Sequence, residues 1–308
     1  MLEQIARNPD MLVQELEFAL EEEREQILGQ FNQEPVPYEE NVAKLWNEQA
    51  KMMPDKTAVI YGEQKLTYEE LDAHANQIAK VLAKYGICKG ESVAFLADPD
   101  VETIAWILGI VKHGCSYVAI DSSYPKSRMQ FMLKDSNTRM LFTAKDIELD
   151  VAFKLNPSME VLGDDITNYE EQAITKDDLI YLIYTSGTTG EPKASMIEHK
   201  SVVRLVKDKQ CYQMNEDTVL LQSGTMAFDA FTLEMWGPLL CGGTLILSNK
   251  EMLLQTAALA ECITNNKVNT MWLTARLYNQ IVMEDVHVFD TLTYLMIGGE
   301  KLSEDHVR

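Results

Sequence analysis

Metal-cage and disulfide-framework spacings are missing from this sequence. Its five cysteines, Cys88, Cys115, Cys211, Cys241 and Cys262, lie at least 21 residues apart, and its five histidines, His74, His113, His199, His287 and His306, join them in no CxxC, HxH or HExxH spacing. That excludes a structural zinc site or a disulfide scaffold as the organising device. Apolar runs are short as well. The longest strongly apolar one, Ile104–Val111, is far below the ~20 residues that cross a bilayer. Basic residues are scarce: Lys+Arg number 27 against 48 Asp+Glu, a net charge of −21. A chain-wide cationic surface for nucleic acid or anionic lipid is therefore excluded. Glu3 in the opening MLEQIARNPD places acid too early for a signal peptide. The expectation is a cytoplasmic protein with neither a nucleic-acid nor a membrane partner. Its 308 residues have room for one large core or two smaller ones.

What is present is alternation. Residues 10–31 read as an amphipathic helix with Asp10 as cap and Leu12, Leu16 and Leu20 on one face; Phe31–Tyr38, with two prolines, reads as a linker. Beyond it, strand-like runs at Lys56–Tyr61, Glu91–Ala97, Cys115–Ile120, Met140–Thr143 and Leu179–Tyr184 are interleaved with helical spacings, such as Leu71, Ile78 and Leu82 within Thr67–Tyr85 and a helix capped by Asp100. Thr218–Gln222, Thr244–Leu247, Thr270–Leu273 and Thr293–Ile297 continue the strand series, with a helix at Leu253–Asn265. Apolar strands alternating with helices predict βαβ units and a mostly parallel sheet covered on both faces. Lys301–Arg308 reads as the start of a helix, with Ser303 as cap and Asp305 in its first turn.

The stretch richest in chemistry follows the strand at 179–184: Tyr184, Thr185, Ser186, Gly187, Thr188, Thr189, Gly190, Glu191, Pro192, Lys193. Two glycines let backbone N–H groups converge, four hydroxyls add donors, and Lys193 adds a positive charge. This reads as a phosphate cradle. It is not a Walker A loop, because the lysine follows the second glycine by three residues with a proline between. A second signal is Phe228-Asp229, an aspartate ahead of an apolar, aromatic helix, whose surroundings should be largely buried. A plain helix N-cap is the other reading, and Asp229 can serve both.

YTSGTTGEPK resembles the phosphate-binding signature of the adenylate-forming superfamily, which includes acyl-CoA synthetases, luciferases and the adenylation domains of nonribosomal peptide synthetases. Flanking blocks narrow the resemblance to the adenylation domains. They are Leu66–Leu71 (LTYEEL), Val111–Asp121 (VKHGCSYVAID), Tyr124-Pro125 with Arg128 and Met132-Leu133, and Phe228–Leu240 (FDAFTLEMWGPLL) followed by Gly242-Gly243-Thr244. The resemblance covers everything after about Phe31. Residues 1–38 are similar to the tail of a preceding condensation domain with its linker, a free-standing N-terminal helix being the alternative.

The resemblance implies an α/β fold of two doubly wound, mostly parallel sheets in an αβαβα arrangement. Residues 39–308 would be the N-terminal portion of an adenylation core, with subdomains at about 66–210 and at 42–65 plus 215–308. It implies ATP-dependent activation of an amino acid as its adenylate, with Mg²⁺, and transfer to a peptidyl carrier protein alongside a condensation domain. Thr185, Ser186, Gly187, Thr188, Thr189, Gly190 and Lys193 would hold the phosphates. Gly299 and Glu300 would lie by the adenine. Phe228 and Asp229 belong to the substrate site, where Asp229 would receive the substrate α-ammonium; Ala230, Leu233, Arg276, Met296 and Gly298 would line the side-chain pocket. Arg276 there implies an acidic or polar substrate; a register slip by one puts Ala275 in its place, and Ala230, Leu233 and Met296 alone imply an apolar one.

The sequence departs from the family at Ala194, where glycine is usual, so an αL backbone there would be strained. It also contains neither the aromatic-Gly-Pro-Thr-Glu block, nor the Thr-Gly-Asp block, nor the C-terminal domain with its lysine, so the chain is expected to lack the β-barrel and C-terminal subdomains and a complete catalytic set. A second chain completing the domain, an acyl- or aryl-CoA ligase fragment, and a noncatalytic interaction fragment are the other readings. The expected outcome is no amino-acid-dependent pyrophosphate exchange into ATP by the 308 residues, and restoration when the C-terminal segment is supplied; robust exchange by the 308 residues alone overturns this expectation.

Overall fold

The computed structural model describes residues 2–12, 19–30, 38–156, 172–186, 192–208 and 212–301. The chain divides into two compact units, Met1–Tyr38 and Glu39–Arg308. In the first, α1 (Leu2–Arg7) ends before Pro9, and α2 (Glu21–Glu25) continues into a π-helical turn at Gln26–Gln30. The single helix expected from Asp10 is therefore corrected. Asp10, Met11 and Leu12 are non-helical, as are Ala19 and Leu20 ahead of α2, whose Glu21, Glu22 and Glu23 suit a helix N-terminus; residues 13–18 lie outside the described residues. Leu12 and Leu20 are exposed. Leu16 and most of the linker, residues 31–37, lie outside the described residues.

The second unit opens with α3 (Val42–Met52) and continues through β1 (Thr57–Tyr61), β2 (Gln64–Thr67), α4 (Tyr68–Lys84), β3 (Ser92–Leu96), α5 (Val101–Lys112) and β4 (Ser116–Ile120). Next come α6 (Lys126–Asp135), β5 (Met140–Phe142), β6 (Phe153–Leu155), β7 (Leu179–Ser186), β8 (Pro192–Glu198) and α7 (His199–Lys207). The remainder is β9 (Val219–Leu221), α8 (Ala230–Leu240), β10 (Thr244–Ile246), α9 (Lys250–Leu253), α10 (Thr256–Asn266), β11 (Thr270–Thr274), α11 (Ala275–Glu284) and β12 (Tyr294–Gly298). Among the described residues the strands form two six-stranded sheets, β12-β11-β9-β10-β1-β2 and β6-β5-β3-β4-β7-β8. All neighbours are parallel except the edge pairs β1/β2 and β7/β8. Two mostly parallel sheets with flanking helices are thus present, as expected.

Alternation along the strands builds five layers. In the second sheet Ala94, Leu96, Val118, Ile120 and Leu141 meet Met129, Met132 and Leu133 of α6 on the outer face. The intervening residues carry an aromatic seam inward: Phe95, Tyr117 and Tyr181 follow one another at 6.1 and 5.2 Å between ring centroids, and Phe142 meets Trp106 of α5 at 3.8 Å. In the first sheet Leu221, Ile246, Met271 and Leu273 pack outward on Leu259 and Ile263 of α10 and Ile281 of α11. Between the sheets run α5, touching β4 and β1, and α8, touching β9, β10 and β11. Trp236 of α8 donates its indole N–H to the Tyr117 hydroxyl at 3.3 Å, tying α8 to the opposite sheet.

Capping follows the sequence closely: Thr67 and Glu70 form the box that opens α4, and Asp100 caps α5. Helices α3, α4 and α5 are joined by Asp72, which accepts from Trp46 Nε1 at 2.7 Å and from Lys112 Nζ at 2.6 Å. The helix expected over Leu253–Asn265 is found as α10, Thr256–Asn266, while Leu253 ends the short α9, which Asn249 caps by accepting from Met252 N–H. Strands β2, β6 and β8 were not foreseen; β2 and β6 are short, and β8 is an edge strand with polar residues. Lys301 is exposed and non-helical; Ser303, Asp305 and the rest of the expected final helix lie outside the described residues.

Gly109 sets the distance between α4 and α5. A Cβ there would lie 2.6 Å from Ile78 Cβ and 2.8 Å from the Ala75 carbonyl oxygen. Gly109→Val should therefore lower the urea midpoint, with overpacking of this kind costing ~1–3 kcal/mol; an unchanged midpoint would show that the helix pair yields freely.

Candidate active site

Strands β7 and β8 build the arms of a hairpin. Their register places Tyr184 opposite Ala194, Thr185 opposite Lys193 and Ser186 opposite Pro192. Thr185 and Lys193 are both exposed at its tip. The loop between, including Gly187, Thr188, Thr189 and Gly190, lies outside the described residues. The concern over Ala194 is resolved: it sits in the ladder of β8, and the non-glycine residues with positive φ among those described are Asn137 and Lys267.

Strand β7 also reaches a cavity of about 410 Å³, lined by Tyr181, Ile197, Ser201, Val202, Leu205, Asp229, Ala230, Thr232, Leu233 and Trp272. At its base the Tyr181 and Thr232 hydroxyls hydrogen-bond at 2.7 Å. Tyr181 cannot readily ionise there, since burial pushes its phenol up. Asp229 is the N-cap of α8, and its Oδ1 accepts from Ala230 N–H at 2.9 Å. The expectation of buried surroundings is corrected: Asp229 is exposed and Phe228 is 60% exposed. A turn closed by Phe228 N–H to the Thr225 carbonyl carries this dipeptide outward before the helix begins.

The structure brings Asp229, Ala230 and Leu233 together but not Arg276. Thr274 caps α11 by accepting from Leu277 N–H, so Ala275 is buried and Arg276, beyond the strand end, is exposed. Arg276 opens instead on a separate cleft of about 740 Å³ with Asp98, Asp121, Ser223, Thr225 and Lys250. The residue facing the substrate-sized cavity is Trp272, two positions inside β11. The period-2 pattern could have found it: Met271 and Leu273 point into the outer core, so Trp272 faces α8. Strand β12 pairs Met296 with Trp272 and Gly298 with Thr274, and a Cβ on Gly298 would stand 3.7 Å from the Trp272 indole. Gly299, at φ +87, and Glu300 follow, exposed at the strand end.

The larger cleft gathers residues just past the carboxyl ends of strands from both sheets, where open α/β sheets bind ligands. Asp121 bridges the sheets by accepting from Thr225 Oγ1 at 3.2 Å and from Ser123 N–H and Oγ at 2.9 and 2.6 Å. Burial pushes its carboxyl up, but these donors and Lys145 outweigh it and leave it below the ordinary value. Sequence reasoning also missed Glu234. This fully buried residue of α8 accepts from Ser223 N–H at 2.8 Å and Gly224 N–H at 3.3 Å, fixing the loop that leads to Asp229.

This arrangement defines a class. Residues 46–308 match the family described as AMP-binding enzyme, and the chain belongs to that family. Within it the chain is 38% identical to surfactin synthase subunit 2 of Bacillus subtilis, over 98% of its own length and 9% of that protein. It is 35% identical to gramicidin S synthase 2 of Brevibacillus brevis, over 100% and 7%. The chain thus spans less than a tenth of either relative. Among solved structures it is similar to the nonribosomal peptide synthetase FmoA3 (TM-score 0.86, 25% identity, 99% of this chain and 34% of that one). It is also similar to PA1221, a peptide synthetase protein containing adenylation and PCP domains (TM-score 0.80, 26%, 87% and 47%). The family is one of adenylate-forming ligases. Among the described residues no helix is long and apolar enough to cross a membrane.

Glu234 supplies a pH test. Burial pushes its carboxyl up to about 7, against backbone and Ser223 hydrogen bonds that oppose the shift. An unfolded glutamate releases its proton near ~4.3. Between those values the folded chain holds a proton that the unfolded chain has lost, so this group's contribution is full below ~4.3 and declines as pH rises to about 7. The stability difference between wild type and Glu234→Gln, read from urea midpoints, should move against wild type over that interval and level off above it; a difference constant with pH contradicts the assignment.

Proposed function

We propose that this chain carries the amino-acid and phosphate sites of an adenylation reaction, and that its amino acid has an apolar side chain. The observation that carries the reading is one strand serving both sites. Tyr181 forms the base of the cavity and Thr185, four residues on in β7, stands at the hairpin tip opposite Lys193. At ~3.3 Å per residue this spans about 13 Å, a span suited to an amino acid joined to the α-phosphate of ATP.

In this reading Asp229 at the cavity mouth takes the α-ammonium, a charge-assisted contact, while Ala230, Leu233 and Trp272 surround the side chain, with Met296 and Gly298 beside Trp272. With Arg276 elsewhere, the walls favour an apolar side chain. The substrate carboxylate oxygen attacks the α-phosphorus of ATP, the bond to the bridging oxygen of the β-phosphate breaks, and pyrophosphate leaves with that electron pair. Lys193 and the donors of residues 185–190 would neutralise charge on the phosphates, and Gly299 and Glu300 lie at the strand end proposed for adenine. Among the described residues no group of three or more His, Cys, Asp and Glu side chains could hold a metal ion. Mg²⁺ accordingly enters the proposal only as the companion of ATP, bound largely by its phosphates, and no step is derived through it. The acyl group would pass to the thiol of a peptidyl carrier protein, a partner supported by the adenylation and PCP domains that occur together in PA1221.

Calorimetric titration with nonhydrolysable aminoacyl-sulfamoyl adenosines tests this reading. Valyl and leucyl analogues should bind more tightly than aspartyl or lysyl ones, and Asp229→Ala should weaken the former about tenfold or more, the scale of a charged hydrogen bond. Equal binding of all four, or tighter binding of a hydroxybenzoyl analogue without an ammonium, defeats the amino-acid reading, the second in favour of an aryl acid ligase.

A further inference from the structure

We infer that Glu234 and Ser223 form a positioning pair that fixes the width of the amino-acid cavity by tying its helical wall, α8, to its strand wall, β11. The inference rests on the proposed reading of that cavity and adds what sets its dimensions.

Glu234 lies on α8 immediately after Leu233, fully buried, and faces the start of the β9–α8 loop. Its Oε1 accepts from the backbone N–H of Ser223 and of Gly224, and stands 3.1 Å from the Ser223 hydroxyl. That hydroxyl is also within hydrogen-bond reach of the Trp272 carbonyl oxygen. The β9/β11 ladder explains why the carbonyl is available. The ladder pairs Thr270 with Leu220 and Met271 with Leu221 and stops there, and Ser223, just beyond β9, supplies the donor that a further strand residue would have given.

The serine has one proton for two acceptors. The Ser223 hydroxyl donates to both, its proton shared between Glu234 Oε1 at 3.1 Å and the Trp272 carbonyl oxygen. The result is a continuous chain from the helix bearing Asp229, Ala230 and Leu233 to the backbone of the indole that faces them. Thr232 on α8 bonds instead to Tyr181 of β7, a different wall. A carboxyl buried in an apolar helix is costly unless its partners are fixed, so it serves better as a spacer than as filling.

The test uses the 308-residue chain and two sulfamoyl-adenosine analogues that differ only in side-chain size, alanyl and leucyl. The ratio of their dissociation constants reports cavity width and cancels the shared adenosine contacts. Ser223→Ala, which keeps the backbone donor but breaks the link to Trp272, should change that ratio about three- to tenfold, the range one hydrogen bond carries. Glu234→Gln should hold the wild-type ratio within about twofold, since an amide oxygen in the place of Oε1 can accept from the same N–H groups and from the Ser223 hydroxyl. A wild-type ratio in Ser223→Ala overturns the inference, as does a Glu234→Gln variant that loses the ratio as fully as Ser223→Ala. A Ser223→Ala variant that fails to fold shifts the decision to Ser223→Thr, which retains the hydroxyl and must retain the ratio. Wild type that binds neither analogue overturns the reading of the cavity itself, and the positioning role falls with it.

Discussion

The architecture depends on one helix being apolar on every side. From Phe231 to Leu240 each residue of α8 is buried, so the helix can be satisfied only between two surfaces, and the two sheets are those surfaces. Its Trp236 locks to Tyr117 in one sheet while its other flank lies on β9, β10 and β11 of the other. Because the helix cannot rotate without exposing apolar surface, its first turn points where the packing directs it. Asp229, Ala230 and Leu233 are placed by hydrophobic burial much farther along the same helix.

Polar chemistry is arranged around that fixed rod by strand ends. The β7/β8 hairpin prolongs β7, the large cleft opens where β3, β4, β9, β10 and β11 finish, and Gly299-Glu300 follow β12. Helix N-terminal caps and the Ser223 hydroxyl satisfy backbone groups that helices and ladders leave unpaired, while the Ser123 and Thr225 hydroxyls donate to the Asp121 carboxylate. The buried carboxyl of Glu234 belongs to the same economy of donors and acceptors, set in the one helix that has no polar face on which to put it.

Much of this was legible from residue order, and the failures have identifiable causes. The parallel strands announced themselves because both of their faces are buried, so β3, β4 and β7 read as continuous apolar runs. Edge strand β8 carries Lys193, Ser195 and Glu198 and resembled a loop until paired with β7. The N-terminal segment has helical periodicity around Leu12, but among the described residues 10–12 and 19–20 are non-helical, a break that periodicity does not reveal. The exposure of Asp229 was not legible, because burial of the following helix was extended too far towards its N-terminus. Arg276 drew attention as a charge in an apolar context. The strand's own alternation favours Trp272 instead, and a single count from Met271 separates the two. The glycines, hydroxyls and lysine at 185–193 are read from residue order alone, since residues 187–191 lie outside the described residues.

The shared strand β7 restricts how this protein can change. Its register with β4 and β8 sets the base of the cavity at Tyr181 and the hairpin tip at Thr185 in a single stroke, so a shift that widened one would misplace the other. The cavity's other walls, on α7, α8 and β11, carry no such double duty, so side chains there can change its shape without moving the hairpin.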